Sequence, residues 1–159
     1  MATDMFLMLD GIKGESQDHK HGGEIEISSF SFGVHQVGSA SSGGGAGTGK
    51  ASFDDLHVSK HADKATPILM QKCATGEHIK NATLTVRKAG KDQQEYYVIK
   101  MTDLIVSSVA NMGTDGEVPS EQVSLNFSTI DFTYKEQTAT GALGGTTTFG
   151  WDLKKVKSK

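Results

Sequence analysis

Apolar and polar residues alternate along two long segments, residues 24–34 and 122–134, and in each segment the alternation changes phase once. The change falls at Ser28-Ser29 in the first segment and at Ser128-Thr129 in the second. Side chains of a β-strand alternate with a period of two, so a change of phase requires an extra residue or a sharp bend. The apolar positions before and after the two changes are Ile25, Ile27, Phe30, Phe32, Val34, Val123, Leu125, Phe127, Ile130, Phe132 and Tyr134.

Long bent strands that take part in two sheets are a common way to close a β-barrel or an orthogonal sandwich. Two strands with the same break therefore favour a mainly β fold, a compact closed β-barrel of two bent sheets. Further strands are predicted at residues 5–9, 53–58, 82–86, 95–101, 104–109 and 146–153, which makes eight or nine in all.

One short α-helix is predicted between these strands. Thr66 can serve as its N-cap, Pro67 suits the first helical position, and Gly76 follows its end. Its apolar face is predicted to consist of Leu69, Met70 and Cys73.

The 159 residues suit a single domain, predicted at residues 1–155 with a basic C-terminal tail at 156–159. Hydrophobic residues make up only 36%, which suits a turn-rich β protein or one covered by copies of itself. A net charge of −3 gives no basic surface for nucleic acid. One cysteine allows no internal disulfide, and the apolar run at residues 5–9 is too short for a signal peptide or membrane span. We therefore expect a chain that is made and folded in the cytoplasm.

A glycine-rich segment, residues 38–50, contains the spacing G-x-x-x-x-G-K of a phosphate-binding loop. The expected Ser or Thr is replaced by Ala51, and the residues that follow predict a strand, where the phosphate loop needs a helix N-terminus. The better interpretation is a long, exposed, flexible loop, and nucleotide binding by an enzyme remains a weak alternative.

Candidate metal and catalytic residues are few. Asp18, His19 and His21 share one polar loop without a fourth ligand, so we interpret them as solvated residues. Asp54 and Asp55 are adjacent on an extended segment and point to opposite faces, which excludes a paired acid and base. No catalytic residue, metal ligand or cofactor is predicted.

The non-core positions of the predicted strands are unusually small and uncharged. A strand face in bulk water usually carries Lys and Glu, so these positions indicate a polar channel or a nearby partner. A soluble barrel with a flexible loop is the alternative. The positions are Ser29, Ser31, Thr83, Thr85, Ser124, Asn126 and Ser128.

Several stretches, taken in order, resemble the haemolysin-coregulated protein (Hcp) family of bacterial type VI secretion. The resemblance runs from Met5 to Lys155, nearly the whole chain. The stretches are FLMLDGIKGES, KHGGEIEISSFSFGV, the block from GSASSGGG to GEHI, TLTVRKAG, EQVSLNF and GWDLKK.

The resemblance implies a non-enzymatic subunit of the secretion tube. Such subunits form hexameric rings with a wide channel, and the rings stack into a tube inside a contractile sheath. The implied partners are further copies of the chain, the spike, the sheath, the baseplate and small effectors in the lumen, without nucleic acid or membrane insertion. Secretion into a target cell would need no signal peptide.

In that setting Ser29 and Ser31 are predicted to face the lumen as cargo contacts. The glycine-rich arm is predicted to reach a neighbouring subunit or ring. A diffusible ring that chaperones effectors is the alternative function. The arm residues singled out are Gly43, Gly44, Gly45, Gly47, Gly49 and Lys50.

Overall fold

The computed structural model describes residues 3–36, 51–89, 93–140 and 142–159. Within these ranges the chain forms eleven β-strands and one α-helix. The elements are β1 Thr3–Leu9, β2 Ile25–Glu26, β3 Ser29–Ser31, β4 Val34–His35, β5 Ser52–Phe53, β6 Leu56–His61, α1 Thr66–Thr75, β7 Ile79–Lys88, β8 Glu95–Met112, β9 Ser120–Gln137, β10 Leu143–Asp152 and β11 Lys157–Ser158. The predicted mainly β fold with one short helix is confirmed.

An antiparallel meander of β7, β8, β9 and β10 forms the main part of the sheet, with β1 on the far side of β7 and β11 on the far side of β10. The strand β9 has three neighbours. It pairs with β8 over most of its length, with β6 over its first residues and with β10 over its last. The strand β9 therefore belongs both to the barrel, through β6 and β8, and to the part of the sheet that continues through β10 and β11.

The first predicted bend lies where one segment changes partners. The strand β2 pairs with β1, and after the bend β3 pairs with β6. Between them, the Ile27 N–H donates to the Met5 carbonyl (3.1 Å) and the Ser28 N–H donates to the Ser59 carbonyl (2.8 Å). This bent segment closes the barrel, and the ladder of paired residues is interrupted there, as the break at Ser28-Ser29 predicted.

At the second predicted break, Ser128-Thr129, β9 keeps its register with β8, and the residue with unusual backbone geometry lies in β8. Next to Ser128 of β9 lies Asp103 of β8, whose φ of +51° is in the left-handed region. The Ser128 hydroxyl shares its proton between the Asp103 carbonyl (2.9 Å) and one Asp103 carboxylate oxygen (3.0 Å), which ties β9 to the bend of β8. Strands were predicted separately at 95–101 and 104–109, and this was wrong: both belong to β8, which bends at Asp103 and continues.

The core lies inside the barrel and is almost wholly aliphatic. It draws on β1, β2, β6, β7, β8, β9 and the inner side of α1. Side chains with no measurable exposure include Ile25, Leu56, Leu84, Ile99, Leu104 and Leu125.

The helix differs from its prediction at two residues. The N-cap position is Ala65, and Thr66 is the first helical residue, whose hydroxyl accepts a hydrogen bond from the Asp63 N–H (3.0 Å). Met70 is 47% exposed, because α1 turns only Leu69, and in part Cys73, toward the core. The predicted end is confirmed, since Gly76 has the left-handed φ of +68°.

A charged pair is buried beneath the start of α1. Lys60 of β6 and Glu121 of β9 are directly opposite in register, and their side chains are fully buried. The Lys60 ammonium contacts a Glu121 carboxylate oxygen and also donates to Asp63 Oδ1 (2.9 Å). The Thr66 hydroxyl donates to the same Glu121 oxygen (2.9 Å), so the pair ties two strands to the helix.

Candidate functional site

Four strands bring a row of polar side chains together on one face of the sheet. Ser31 of β3 is opposite His57 of β6, His57 is opposite Ser124 of β9, and Ser124 is opposite Ser108 of β8. Directly opposite residues of antiparallel strands point to the same face, so these four side chains form one continuous row.

A second row of the same kind runs beside the first, from Ser29 through Ser59 and Gln122 to Ala110. The residues between the rows, such as Phe30 and Val58, pack against the core. We call the eight residues of these two rows the serine face. They line an open hollow of about 350 Å³ on the outside of the barrel.

The serine face offers hydrogen bonds and little charge. Its polar side chains are five serine hydroxyls, one amide and one imidazole. His57 Nδ1 lies 2.7 Å from the Ser124 hydroxyl. At one end of the face, the Asp55 carboxylate accepts hydrogen bonds from Ser107 (2.6 Å) and Asn126 (2.8 Å). A ligand on this surface would be recognised through hydrogen bonds and shape.

The two predicted cargo contacts, Ser29 and Ser31, both lie on this face. Thr83 and Thr85, which the sequence placed in the same class, lie elsewhere on β7, and Thr85 is buried. Sequence reasoning missed the contributions of His57 and Ser59 from β6. Their alternation with buried Leu56 and Val58 was the available signal, but their neighbours across the sheet depend on register.

The glycine-rich arm, with Gly43, Gly44, Gly45, Gly47, Gly49 and Lys50, lies outside the described residues. The element that follows it is described. Ala51 leads directly into β5, and β6 follows. The strand predicted after the glycine-rich segment is confirmed, so the helix N-terminus of a phosphate loop is not supplied there.

The candidate metal residues were interpreted as solvated, which was wrong for two of them. Asp18 receives hydrogen bonds from the Arg87 guanidinium, which is 98% buried, and Arg87 holds the pKa of Asp18 well below its usual range. His21 is buried against the Phe6 ring, with its nitrogens 2.7 Å from Glu24 and from Glu95. These contacts fasten the loop to the barrel, and the described part of the chain contains no group of three or more potential metal ligands.

One cluster has the residue types of a hydrolytic triad in the wrong order. His78 Nδ1 lies 2.6 Å from Asp103, and the Ser128 hydroxyl donates to the other oxygen of the same carboxylate (3.0 Å). In a triad the imidazole stands between the hydroxyl and the acid, whereas here the acid stands between them. Lys154, followed by His78 and Ser128, lowers the pKa of Asp103, so the cluster anchors the C-terminal segment to the bend.

The predicted tail also contacts the barrel. The strand β11 pairs with β10 at Trp151 and Asp152, and the Lys159 ammonium donates to Asp131 (2.6 Å). In the ranges that the structure covers, no helix has the length and apolar character needed to cross a membrane.

Comparison with known proteins places these features in a family. Residues 6–134 match the family model described as "Type VI secretion system effector, Hcp". The chain is 43% identical over 157 residues to the protein hcp1 of Pseudomonas aeruginosa, covering 97% of each chain.

Solved structures give the same result. The fold is similar to the crystal structure of Hcp1 from Salmonella typhimurium, with a TM-score of 0.84, 39% identity and complete coverage of both chains. It is also similar to a solved type six secretion system protein, with a TM-score of 0.93, 30% identity, and coverage of 99% of this chain and 100% of the other.

Proposed function

Because the chain belongs to the Hcp family of type VI secretion proteins, we propose that it is a non-enzymatic subunit of the secretion tube. Six copies form a ring around a wide channel, and rings stack into a tube that is expelled with the spike. The chain assembles in the cytoplasm inside the contractile sheath and on the baseplate, and is then exported.

The serine face is the observation that carries this proposal. Its two uncharged rows across four strands suit the wall of a water-filled channel, where the same surface repeats from copy to copy. Among the described strands, β3 pairs only with β6, and β8 beyond Leu104 pairs only with β9. On the β3 side the serine face therefore ends at a strand edge that can meet a neighbouring copy. On the other side α1 packs against β8, where the Asn111 amide donates to the Met70 sulfur (3.5 Å).

The same face supports a role in carrying small effectors. Ser29 and Ser31 lie on the hollow of about 350 Å³, where neighbouring hydroxyls and the Gln122 amide offer further hydrogen bonds. We propose that these two serines contact cargo in the lumen. Replacement of Ser31 by Gln would fill part of the hollow and should reduce the amount of effector that co-purifies with the rings.

Electron microscopy of the purified protein tests the assembly directly. We expect six-fold rings, and at high concentration stacks of rings. A monomer under every condition would contradict the proposal, and rings that never stack would favour a diffusible effector chaperone.

The glycine-rich arm is proposed to contact the neighbouring ring. Deletion of residues 43–47 should weaken stacking and secretion while leaving the circular dichroism spectrum and the six-fold rings unchanged. A control that replaces the same five residues with a Gly-Ser linker of equal length should still stack. Unchanged stacking in the deletion variant would refute this role.

A further inference from the structure

The chain contains two Asp-Gly steps, and each lies at the centre of a tight turn. The first is Asp10-Gly11, in the turn of residues 9–12, and the second is Asp115-Gly116, in the turn of residues 114–117. In each turn the N–H of the fourth residue donates to the carbonyl of the first (3.1 Å). Both glycines are left-handed, with φ of +77° and +82°. The two steps therefore have similar local structures in different surroundings.

The surroundings of the first turn hold its aspartate in place. The Asp10 N–H donates to the Asn81 carbonyl (3.0 Å), and the Asn81 amide donates to an Asp10 carboxylate oxygen (3.2 Å). The turn also connects β1 directly to Ile12, which is buried in the core. Opening of this turn would therefore break contacts with β7 and disturb the packing of Ile12.

The second turn is held by fewer contacts. It lies in the loop of residues 113–119 between β8 and β9, and every residue of this loop is exposed. Within the described ranges, the backbone hydrogen bonds of this loop are the turn bond itself and one from the Ala62 N–H to the Pro119 carbonyl (2.8 Å). No described side chain holds the Asp115 carboxylate as Asn81 holds that of Asp10. A segment with few buried contacts opens at a low cost in free energy.

An aspartate that precedes glycine can isomerise through a cyclic imide. The glycine nitrogen attacks the side-chain carboxyl carbon, a C–N bond forms, and the nitrogen proton leaves with the carboxyl hydroxyl as water. A second water then opens the imide. When it adds at the main-chain carbonyl, the chain continues through the side chain as isoaspartate, with no net change in atoms. Glycine favours the attack because it has no Cβ beside its nitrogen.

Ring closure needs the aspartate backbone and side chain to rotate together, so it proceeds from openings of the turn. We propose that Asp115-Gly116 is a site of spontaneous isoaspartate formation in the native protein, and that contacts with Asn81 protect Asp10-Gly11. The converted loop contains one more main-chain carbon between the paired residues Met112 and Ser120. Its free α-carboxylate makes it a substrate for enzymes that methylate isoaspartate with S-adenosylmethionine. This inference does not depend on the proposed tube.

Storage of the intact protein in water enriched in oxygen-18, at pH 7.4 and 37 °C, tests the inference. Each passage through the imide inserts one heavy oxygen from the water that opens the ring. After digestion with pepsin in ordinary water, mass spectrometry measures the heavy oxygen in each peptide, and electron-transfer fragmentation identifies isoaspartate. The Asp115 peptide should be labelled about fivefold faster than the Asp10 peptide, or more, because its turn opens more often.

Two variants test the reason for the difference. In Asn81→Ala the Asp10 carboxylate is released, so labelling at Asp10 should rise about twofold or more while labelling at Asp115 is unchanged. In Asp115→Glu labelling of that loop should nearly stop, because the imide would need a larger ring that closes more slowly. Circular dichroism checks that both variants are folded.

Equal labelling of the two peptides in the unchanged protein, or no isoaspartate at residue 115, would overturn the inference. Labelling at Asp10 that stays the same in folded Asn81→Ala would refute the protective role of Asn81. Light scattering of the stored samples reports ring formation separately, so that loss of rings would count against the tube and not against the modification site.

Discussion

Removal of the buried ammonium group at Lys60 tests how the barrel supports charge in its interior. In Lys60→Met, the Glu121 carboxylate stays fully buried and keeps only the Thr66 hydroxyl as a donor (2.9 Å). The other Glu121 carboxylate oxygen has no hydrogen-bond partner in the described part of the chain. Breaking a buried pair by removing one partner typically costs about 3–5 kcal/mol of folding free energy. We therefore expect Lys60→Met to lower the free energy of unfolding by about 3–5 kcal/mol, which is a large part of the total stability of a typical domain.

The double variant Lys60→Met/Glu121→Leu should recover most of this loss, because apolar replacement of both partners removes the buried charge. The Thr66 hydroxyl loses one acceptor, which should leave a cost of about 1 kcal/mol. The exposed Lys64→Met provides a control within about 0.5 kcal/mol of the parent.

Urea unfolding followed by the fluorescence of Trp151 at pH 7 measures all four proteins. Several protein concentrations are needed, because assembly makes apparent stability depend on concentration. A cost below about 1 kcal/mol for Lys60→Met, or a double variant no more stable than the single one, would refute the reasoning.

Two further perturbations test other contacts. In Gly14→Ala the new Cβ would lie 2.5 Å from the Glu24 carbonyl oxygen and 2.7 Å from Ile25 Cα, so we expect a loss of about 1–3 kcal/mol, measured as a lower thermal midpoint. Gly113→Ala, where nothing lies within 4 Å, is the matched control, and equal midpoints for the two variants would contradict the clash. Because Arg87 lowers the pKa of Asp18, the stability from this pair is present above the ordinary aspartate range and is lost as the pH falls below it. Arg87→Gln should therefore be destabilised more at pH 6 than at pH 2.5 in urea titrations, and an equal deficit at both pH values would show that the pair does not act through charge.

The bend at Ser28-Ser29 could be predicted, because side chains that alternate with a period of two cannot change phase along a regular strand. The bend at Asp103 was missed, since the residues before and after it were assigned to separate strands. A continuous strand that contains one left-handed residue shows nearly the same sequence of apolar and polar residues as two separate strands. Asp103 is a residue type that tolerates this conformation, so its presence there was the one available signal.

Contacts between distant segments could not be predicted from local pattern. Asp18 and His21 occupy a loop with the composition of a solvated one, yet they contact Arg87 and Glu95, which lie 69 and 74 residues further along the chain. The serine face shows the same limit. Ser29 and Ser31 were found from their alternation with Phe30 and Phe32, but His57 joins them only through the register of β3 on β6.

The three neighbours of β9 also bear on the order of folding. Its ladder with β8 starts at the pair Met112 and Ser120, next to a short loop, so it can form with little loss of chain entropy. The ladder with β6 joins Leu56 to Leu125 and must close a much longer loop. We therefore expect the hairpin of β8 and β9 to be structured in the transition state and the β6 ladder to form after it, which φ-values for Ile99→Val and Val58→Ala would measure. Until the β6 ladder forms, the residues of the serine face remain on separate strands, so this surface would be completed only late in folding.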